Sequence, residues 1–271
     1  MTRSTSRPAP RSFVPLALLC AAVFAIAAGC SSAPPAASQP VIASASPSPG
    51  ASATADASSG SPGADPDSAA AIDAFLAFIQ TQQTFHLTAD MNLTVADKVV
   101  TMYLVDDIGK AAEKGTIDVR GAGVSVHLEV IVIGGTLYLR APPNGGWQSV
   151  EIGSGAANPL AGLRSDDLVA VDRVNVAGTI TQHLHVADAT GDIDARAISG
   201  NTLTDLDLDS ATFDVYVTDD GMPLTAIYEF AGKGTFAGVK APIKAKIRYD
   251  FSKFGQDVTI VAPVGASPLA P

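Results

Sequence analysis

The sequence predicts an α+β fold built on one wide antiparallel sheet, and three observations carry that prediction. From Phe85 onward apolar residues recur at every second position, the period of strands with one dry and one wet face. Turn residues break the alternation repeatedly, at Gly134-Gly135, at Pro142-Pro143-Asn144-Gly145-Gly146 and at Asp219-Asp220-Gly221. Ahead of the strands the period is helical instead. The sum is about nine to eleven strands, an N-terminal helix and one further short helix lying on the sheet.

The first helix is announced by Asp65-Pro66-Asp67-Ser68, which supplies acidic and hydroxyl residues and a proline suited to a first turn. Ile72, Phe75, Leu76 and Ile79 then share one side, widened by Phe78, with Asp73, Gln80 and Gln83 elsewhere. After Thr84 the period drops to two. Phe85, Leu87, Ala89, Met91, Leu93 and Val95 alternate with His86, Thr88, Asp90, Asn92 and Thr94. Val100, Met102 and Leu104 follow, then Ile117 and Val119, then Val124 to Val132 against Ser125, His127 and Glu129. Leu137 and Leu139 form a short strand, as does the run from Trp147 to Ile152. Leu160, Leu163 and Leu168, with acids between them, predict the second helix within Ala156 to Val171. Strands resume over Val174 to Val186, Phe213 to Val217 and Leu224 to Phe230. The cleanest alternation comes last: Ile243, Ala245, Ile247, Tyr249 and Phe251 against Lys244, Lys246, Arg248 and Asp250.

The chain before the helix is of another kind. Arg3, Arg7 and Arg11 precede an apolar run from Phe13 to Ala28, too short for a membrane span and typical of a secretory signal. Ile26-Ala27-Ala28-Gly29-Cys30 resembles the bacterial lipobox, with Ala27 where that pattern prefers Leu or Val. The resemblance implies that Cys30 is linked to diacylglycerol and becomes the mature N-terminus. The alternative is an ordinary signal with Cys30 a passenger. Residues 30–65 are then the lipidated cysteine and a tether of Ser, Ala, Pro and Gly, which has too little to bury to offset its ordering entropy. A flexible chain of roughly 35 residues spans about 30–35 Å. The expected organisation is signal 1–29, tether 30–65, folded domain 66–264 and tail 265–271. The expected location is the extracytoplasmic face of the cell membrane, anchored by lipid.

Charge and cysteine content exclude several function classes. Without residues 1–29, which hold three arginines and no acid, 14 basic residues face 27 acidic ones, a net −13 against −10 for the whole chain. Nucleic acid is a poor partner for such a chain, because phosphate contacts need clustered Lys and Arg. Cys20 lies in the signal and Cys30 is taken by lipid, so the mature chain forms no internal disulfide.

The motifs that carry chemistry elsewhere are weak here. His183 and His185 stand at i, i+2 on one strand face, a spacing able to place two imidazoles on one metal. No third ligand is visible nearby, and an exposed strand pair is the simpler reading. Asp205, Asp207 and Asp209 echo the start of a calcium loop, but Ser210 replaces its glycine and Tyr216 its glutamate. Ser154 in Ile152-Gly153-Ser154-Gly155 lacks the nucleophile elbow. Asp106-Asp107 and Asp166-Asp167 are sequence neighbours whose side chains diverge. Neither catalysis nor a cofactor nor a bound metal is expected.

A wide one-sided sheet curls, and two short helices offer little cover for its apolar face. The residues expected to face inward are Phe75, Leu76, Ile79, Leu128, Val130, Leu139, Phe213, Val215, Tyr228, Phe230, Ile247 and Phe251, as plain core or as cavity wall. If they line a cavity, its occupant is lipophilic.

The order of features resembles the LppX/LprA/LprF/LprG family of actinobacterial lipoproteins, whose fold is related to the lipoprotein carrier LolA. The likeness runs from about Asp67 to Pro263. It rests on the lipobox at Cys30, the helix 69–82 leading into Phe85-His86-Leu87, and Gly135-Thr136-Leu137-Tyr138-Leu139-Arg140 running to Gly146-Trp147. It also rests on Thr181-Gln182-His183-Leu184-His185-Val186, on Val215 to Leu224 around Asp219-Asp220-Gly221, and on Tyr249 to Gly255 followed by Val258 to Pro263. It implies a curved antiparallel half-barrel closed by helices over a cavity for the acyl chains of a lipid or glycolipid. It further implies carriage of lipid between membranes, with an export or transporter partner. Between Val186 and Ala211 such a fold has helical cover, yet Asp188 to Asn201 is rich in Gly and Asp. A shorter cover and a more open or smaller pocket are expected. The alternative function is a structural or regulatory envelope module that binds a protein.

Overall fold

The strict alternation of Ile243 to Phe251 becomes strand β11 (Val239–Ser252), in which the apolar members are buried, Lys244, Lys246 and Arg248 exposed and Asp250 half-buried. This is a computed structural model, and it describes residues 66–269 except 122, 144, 153–159, 161–162, 187, 190–202 and 237–238. The signal, Cys30 and the tether lie outside the described residues, as does Ser154.

Helix α1 (Pro66–Thr81) starts at the proline that marks its first turn. It is followed by β1 (Phe85–Val95), β2 (Lys98–Ile108), β3 (Ala112–Gly121), β4 (Val124–Ile133), β5 (Thr136–Arg140) and β6 (Gln148–Glu151). After a 3-10 turn at Ser165–Asp167 come β7 (Val169–Val176), β8 (Thr179–Val186), β9 (Leu203–Val217), β10 (Pro223–Phe236), β11 and β12 (Ser267–Pro268). Among the described residues all twelve strands join one open, curved sheet in the order β12-β6-β5-β4-β3-β2-β1-β11-β10-β9-β8-β7. Two runs of hairpins, β1 to β6 and β7 to β11, are thus fused where β1 lies antiparallel to β11, from His86 opposite Ser252 to Val95 opposite Ile243.

Every pairing is antiparallel except the last, where β12 lies parallel to β6. The Ser267 amide donates to the Trp147 carbonyl at 3.0 Å and that of Leu269 to Ser149 at 2.8 Å. Part of the expected C-terminal tail therefore docks on a sheet edge, which brings the strand count to twelve.

The second helix expected within 156–171 takes a smaller form among the described residues. Ser165–Asp167 makes a 3-10 turn, and Val169 to Val171 already belong to β7. Residues 153–159 and 161–162 lie outside the described part.

Strand β9 begins ten residues before the alternation predicts, at Leu203 instead of Phe213. Leu206 and Leu208 pack against the core, and so do Ala211 and Phe213, which are of opposite parity. A register shift on β9 between Leu208 and Ser210 absorbs the extra residue. That bulge broke the period and hid the first part of the strand from the alternation. The acids from Asp205 to Asp209 lie along this strand, not in a calcium-type loop. The expected cover at 190–202 lies outside the described residues.

Helix α1 is held against the β9–β10 turn by a close backbone approach. Gly221 has φ +81°, and a Cβ there would stand 2.3 Å from the backbone carbonyl of Ala74 and 2.6 Å from the Phe75 nitrogen. Only glycine meets both demands. At the other end of α1, Phe78 meets Phe254 edge-to-face at 5.0 Å, and Phe254 in turn lies 5.6 Å from Phe85. Phe75, fully buried between these anchors, contributes about 1.5–3 kcal/mol by leaving water. No described helix is long and apolar enough to cross a membrane.

Candidate functional site

Opposed residues in antiparallel strands share a face, so the register maps the inner surface row by row. One row crosses eight strands from β8 to β4: Leu184, Val215, Ala226, Tyr249, Ala89, Leu104, Ile117 and Leu128. A parallel row holds Val186, Phe213, Tyr228, Ile247, Met91, Met102, Val119 and Val126. The expected inward residues fall together. Phe75 on α1, Leu128, Val130 and Leu139 on β4 and β5, and Phe213, Val215, Tyr228, Phe230, Ile247 and Phe251 on β9 to β11 are all buried in one cluster. Leu76 and Ile79 pack partly buried against it. Burial pushes the Tyr249 phenol in the middle of this surface well above its ordinary value.

The inner face is not uniformly apolar. The next row reads Phe251, Leu87, Asp106, Gly115, Val130 and Leu139, and the one beside it Phe85, Ile108, Glu113, Val132 and Leu137. Two carboxyls therefore sit side by side in a greasy surface, Asp106 at 8 % and Glu113 at 2 % exposure. Gly115, opposite Asp106, makes the room: a Cβ there would lie 2.2 Å from the Val105 carbonyl and 2.8 Å from Asp106 Oδ1. That Oδ1 has no hydrogen-bond partner among the described residues. Burial holds the Asp106 carboxyl well above the usual carboxylate range, and the charges of Glu113 and Asp107 push it further. The amides of Asp107 and Lys114 pull the other way and do not win. A protonated Asp106 is a donor and an ionised one an acceptor, so this position can meet either kind of polar group.

In the sequence Asp106 was read only as the neighbour of Asp107, and Glu113 was not singled out. The signal was present, because the alternation of Met102, Leu104 and Ile108 puts position 106 in the inward phase, as Ile117 and Val119 do for 113. Asp107, its neighbour, does diverge and faces out, where His86 Nδ1 stands 2.7 Å from its Oδ1.

The outer face is a lattice of paired charges. Lys246 meets Glu229, and Arg248 meets Asp250 at 2.9 Å. Burial would raise Asp250, but hydrogen bonds from Arg248 and Thr225 outweigh it and hold this carboxyl below its usual value. A depression of about 350 Å³ opens on this face between β1, β2 and β3, lined by Asp90, Asn92, Thr101, Tyr103, Asp118 and Arg120.

The two histidines of β8, on either side of the buried Leu184, also lie on the outer face. The register sets His185 opposite Asp214 and His183 opposite Tyr216 on β9. His185 Nδ1 is 2.6 Å and His183 Nε2 2.7 Å from the same Asp214 Oδ1. The third ligand-type residue absent from the local sequence is thus supplied by the neighbouring strand.

No family model matches the chain, and no curated protein does. Among solved structures the chain is similar to a DUF1329 family protein from Desulfovibrio piger ATCC 29098, at 16 % identity and a TM-score of 0.26. That match covers 71 % of this chain and 94 % of the other. It is also similar to a LolA superfamily protein from Nitrosomonas europaea, at 10 % identity and a TM-score of 0.29, over 71 % and 95 % of the two chains. These scores add nothing to what the strand order establishes: a curved, open, antiparallel sheet with a helix on it.

Proposed function

We propose that this chain is a lipoprotein, anchored by Cys30 to the extracytoplasmic face of the cell membrane, that binds a lipophilic molecule against the concave face of its sheet. It carries or presents that molecule without chemical change. The observation that supports this most is the extent of the inner apolar rows, which cross eight strands while the described residues hold one sixteen-residue helix. Those rows are buried in the structure, so a ligand would enter by displacing part of their present cover, which acyl chains offset at about 0.8 kcal/mol per buried methylene. The resemblance to the LppX/LprG group and to LolA favours a lipid or glycolipid. The unpartnered Asp106 Oδ1 favours one with a hydrogen-bond donor near its buried end. The tether gives the domain reach from its anchor, and an export or transporter partner would receive the cargo.

Titration of the purified chain with a fluorescent fatty acid or phospholipid tests the reading. Saturable uptake, displaced by unlabelled lipid and weakened in Leu128→Arg, is expected. No uptake across acyl lengths and headgroups would overturn it.

A second reading rests on the near-complete burial of the inner rows and the polar depression lined by Tyr103 and Arg120. The concave face is then filled by the chain itself, and the outer face docks a protein of the envelope. Crosslinking in cells through Tyr103, with no lipid uptake in solution, is its signature.

A further inference from the structure

We infer that His183, His185 and Asp214 form a binding site for a divalent transition metal of zinc's chemistry on the outer face of β8 and β9. Asp172 would act as the positioning residue behind His183. The site lies on the opposite face of the sheet from the inner rows and stands or falls independently of lipid binding.

The inference starts from hydrogen-bond accounting. His183 has a carboxylate at each ring nitrogen, Asp172 Oδ1 at 3.1 Å from Nδ1 and Asp214 Oδ1 at 2.7 Å from Nε2. A neutral imidazole carries one N–H and can donate to only one of them. His185 Nδ1 approaches the same Asp214 oxygen at 2.6 Å, so that oxygen faces two imidazole nitrogens. A cation between Asp214, His183 Nε2 and His185 Nδ1 resolves the conflict. The His183 proton then stays on Nδ1 and is given to Asp172, the carboxylate–histidine–metal relay that fixes tautomer and ring orientation.

The backbone is shaped for this arrangement. Between the pairs Ala170–Leu184 and Arg173–Gln182 the strand β7 has two residues, Val171 and Asp172, where β8 has only His183. That bulge re-aims a side chain, and the Asp172 carboxylate is the one brought to His183. The Gln182 side-chain amide donates to the Asp172 carbonyl at 2.9 Å and pins the bulge. From the other side Tyr216 stacks on the His183 ring at 4.8 Å and 18°. The ring is held in place by stacking and by a carboxylate before any ion arrives.

Geometry and ligand type select the ion. One donor atom from each of the three residues lies within 4.8 Å of the others. A tetrahedral ion with bonds of about 2.0–2.1 Å needs donors about 3.3 Å apart, a local rearrangement of side-chain torsions. Two imidazoles and one carboxylate suit zinc or its neighbours and not calcium or magnesium, which take oxygen ligands. His183, His185 and Asp214 keep side-chain exposures of 17, 30 and 22 %, which leaves the fourth position to water or to a ligand atom from a partner.

The other two histidines supply the control. His86 pairs with Asp107 and His127 with Asp118, each a single contact on the same face. If His–Asp pairing is only this protein's way of settling surface imidazoles, the β8 pair will behave as they do. The purified full chain is stripped with chelator and titrated with zinc sulfate by calorimetry, and with cobalt(II) by visible absorption. One zinc per chain is expected, with a rise in melting temperature that chelator reverses, and the intense cobalt bands of tetrahedral coordination. Calcium and magnesium should give no shift. His185→Ala and Asp214→Asn should each lose more than about 100-fold in zinc affinity, His127→Gln none. Asp172→Asn should lose about 10–100-fold while the metal-free melting temperature stays put. If Asp214→Asn fails to fold, His183→Gln, close in size, takes its place. Absence of zinc binding, or equal binding by wild type and His185→Ala, would overturn the assignment.

Discussion

Replacing Asp106 by Asn keeps the shape of the side chain and removes its ionisation, which makes it the sharpest probe of the polar spot in the inner face. Burial first, then the neighbouring Glu113 and Asp107, raise the folded-state pKa well above the ordinary 3.8. Between 3.8 and the folded-state value the folded chain therefore holds a proton that the unfolded chain has released. Its contribution to stability is complete below that window and is lost as pH rises through it. The slope of unfolding free energy reaches at most about 1.4 kcal/mol per pH unit for one proton. Asp250 has the opposite sign: its pKa is lowered, so its contribution is present above its ordinary value and disappears as pH falls through the folded one. It is common to both proteins and cancels in their difference. Urea unfolding of wild type and Asp106→Asn from about pH 4 to about pH 8 reads that difference directly. The variant should gain on wild type as pH rises, by up to ~1.4 kcal/mol per unit within the window, and then run parallel. Glu113→Gln, which removes the nearest like charge, should shift the window toward lower pH. Curves that stay parallel throughout would refute the placement of Asp106 in a dry, like-charged environment.

Three other outcomes follow from the packing and the anchor. Gly221→Ala puts a left-handed backbone on a residue with a Cβ, about 1–2 kcal/mol. It also drives that Cβ into the α1 backbone at 2.3 Å, so total losses of about 2–5 kcal/mol are expected by denaturant titration. Phe75→Ala should cost about 3–5 kcal/mol by the same measurement, since its ring is fully buried under α1. If Cys30 carries the proposed lipid, Cys30→Ser should move the protein from the membrane to the soluble fraction when cells are fractionated.

Much of the fold was legible because one face of each strand is dry. The phase of Phe85 to Val95 and of Ile243 to Phe251 predicted which residues turn inward, and burial follows it. What stayed hidden has a common cause: information held between strands and not along them. The bulge at Asp209 reset the phase of β9, so Leu203 to Ser210 did not read as strand. The encounter of Asp214 with His183 and His185 depends on a register between strands about thirty residues apart, which alternation alone does not fix. Asp106 and Glu113 are a different lesson. Their inward phase was readable, but acids were weighed as sequence neighbours and not as members of a face.

Lipid carriage by this chain requires that the concave face receive a foreign hydrocarbon. Native mass spectrometry of the chain from Ser31 onward, incubated with membranes of its own source and repurified, measures that most directly. A population heavier than the bare chain by the mass of one amphiphile, released by organic solvent and rebound on reconstitution, is expected. A single peak at the mass of the polypeptide, unchanged after incubation with those membranes' extracted lipids, would contradict it.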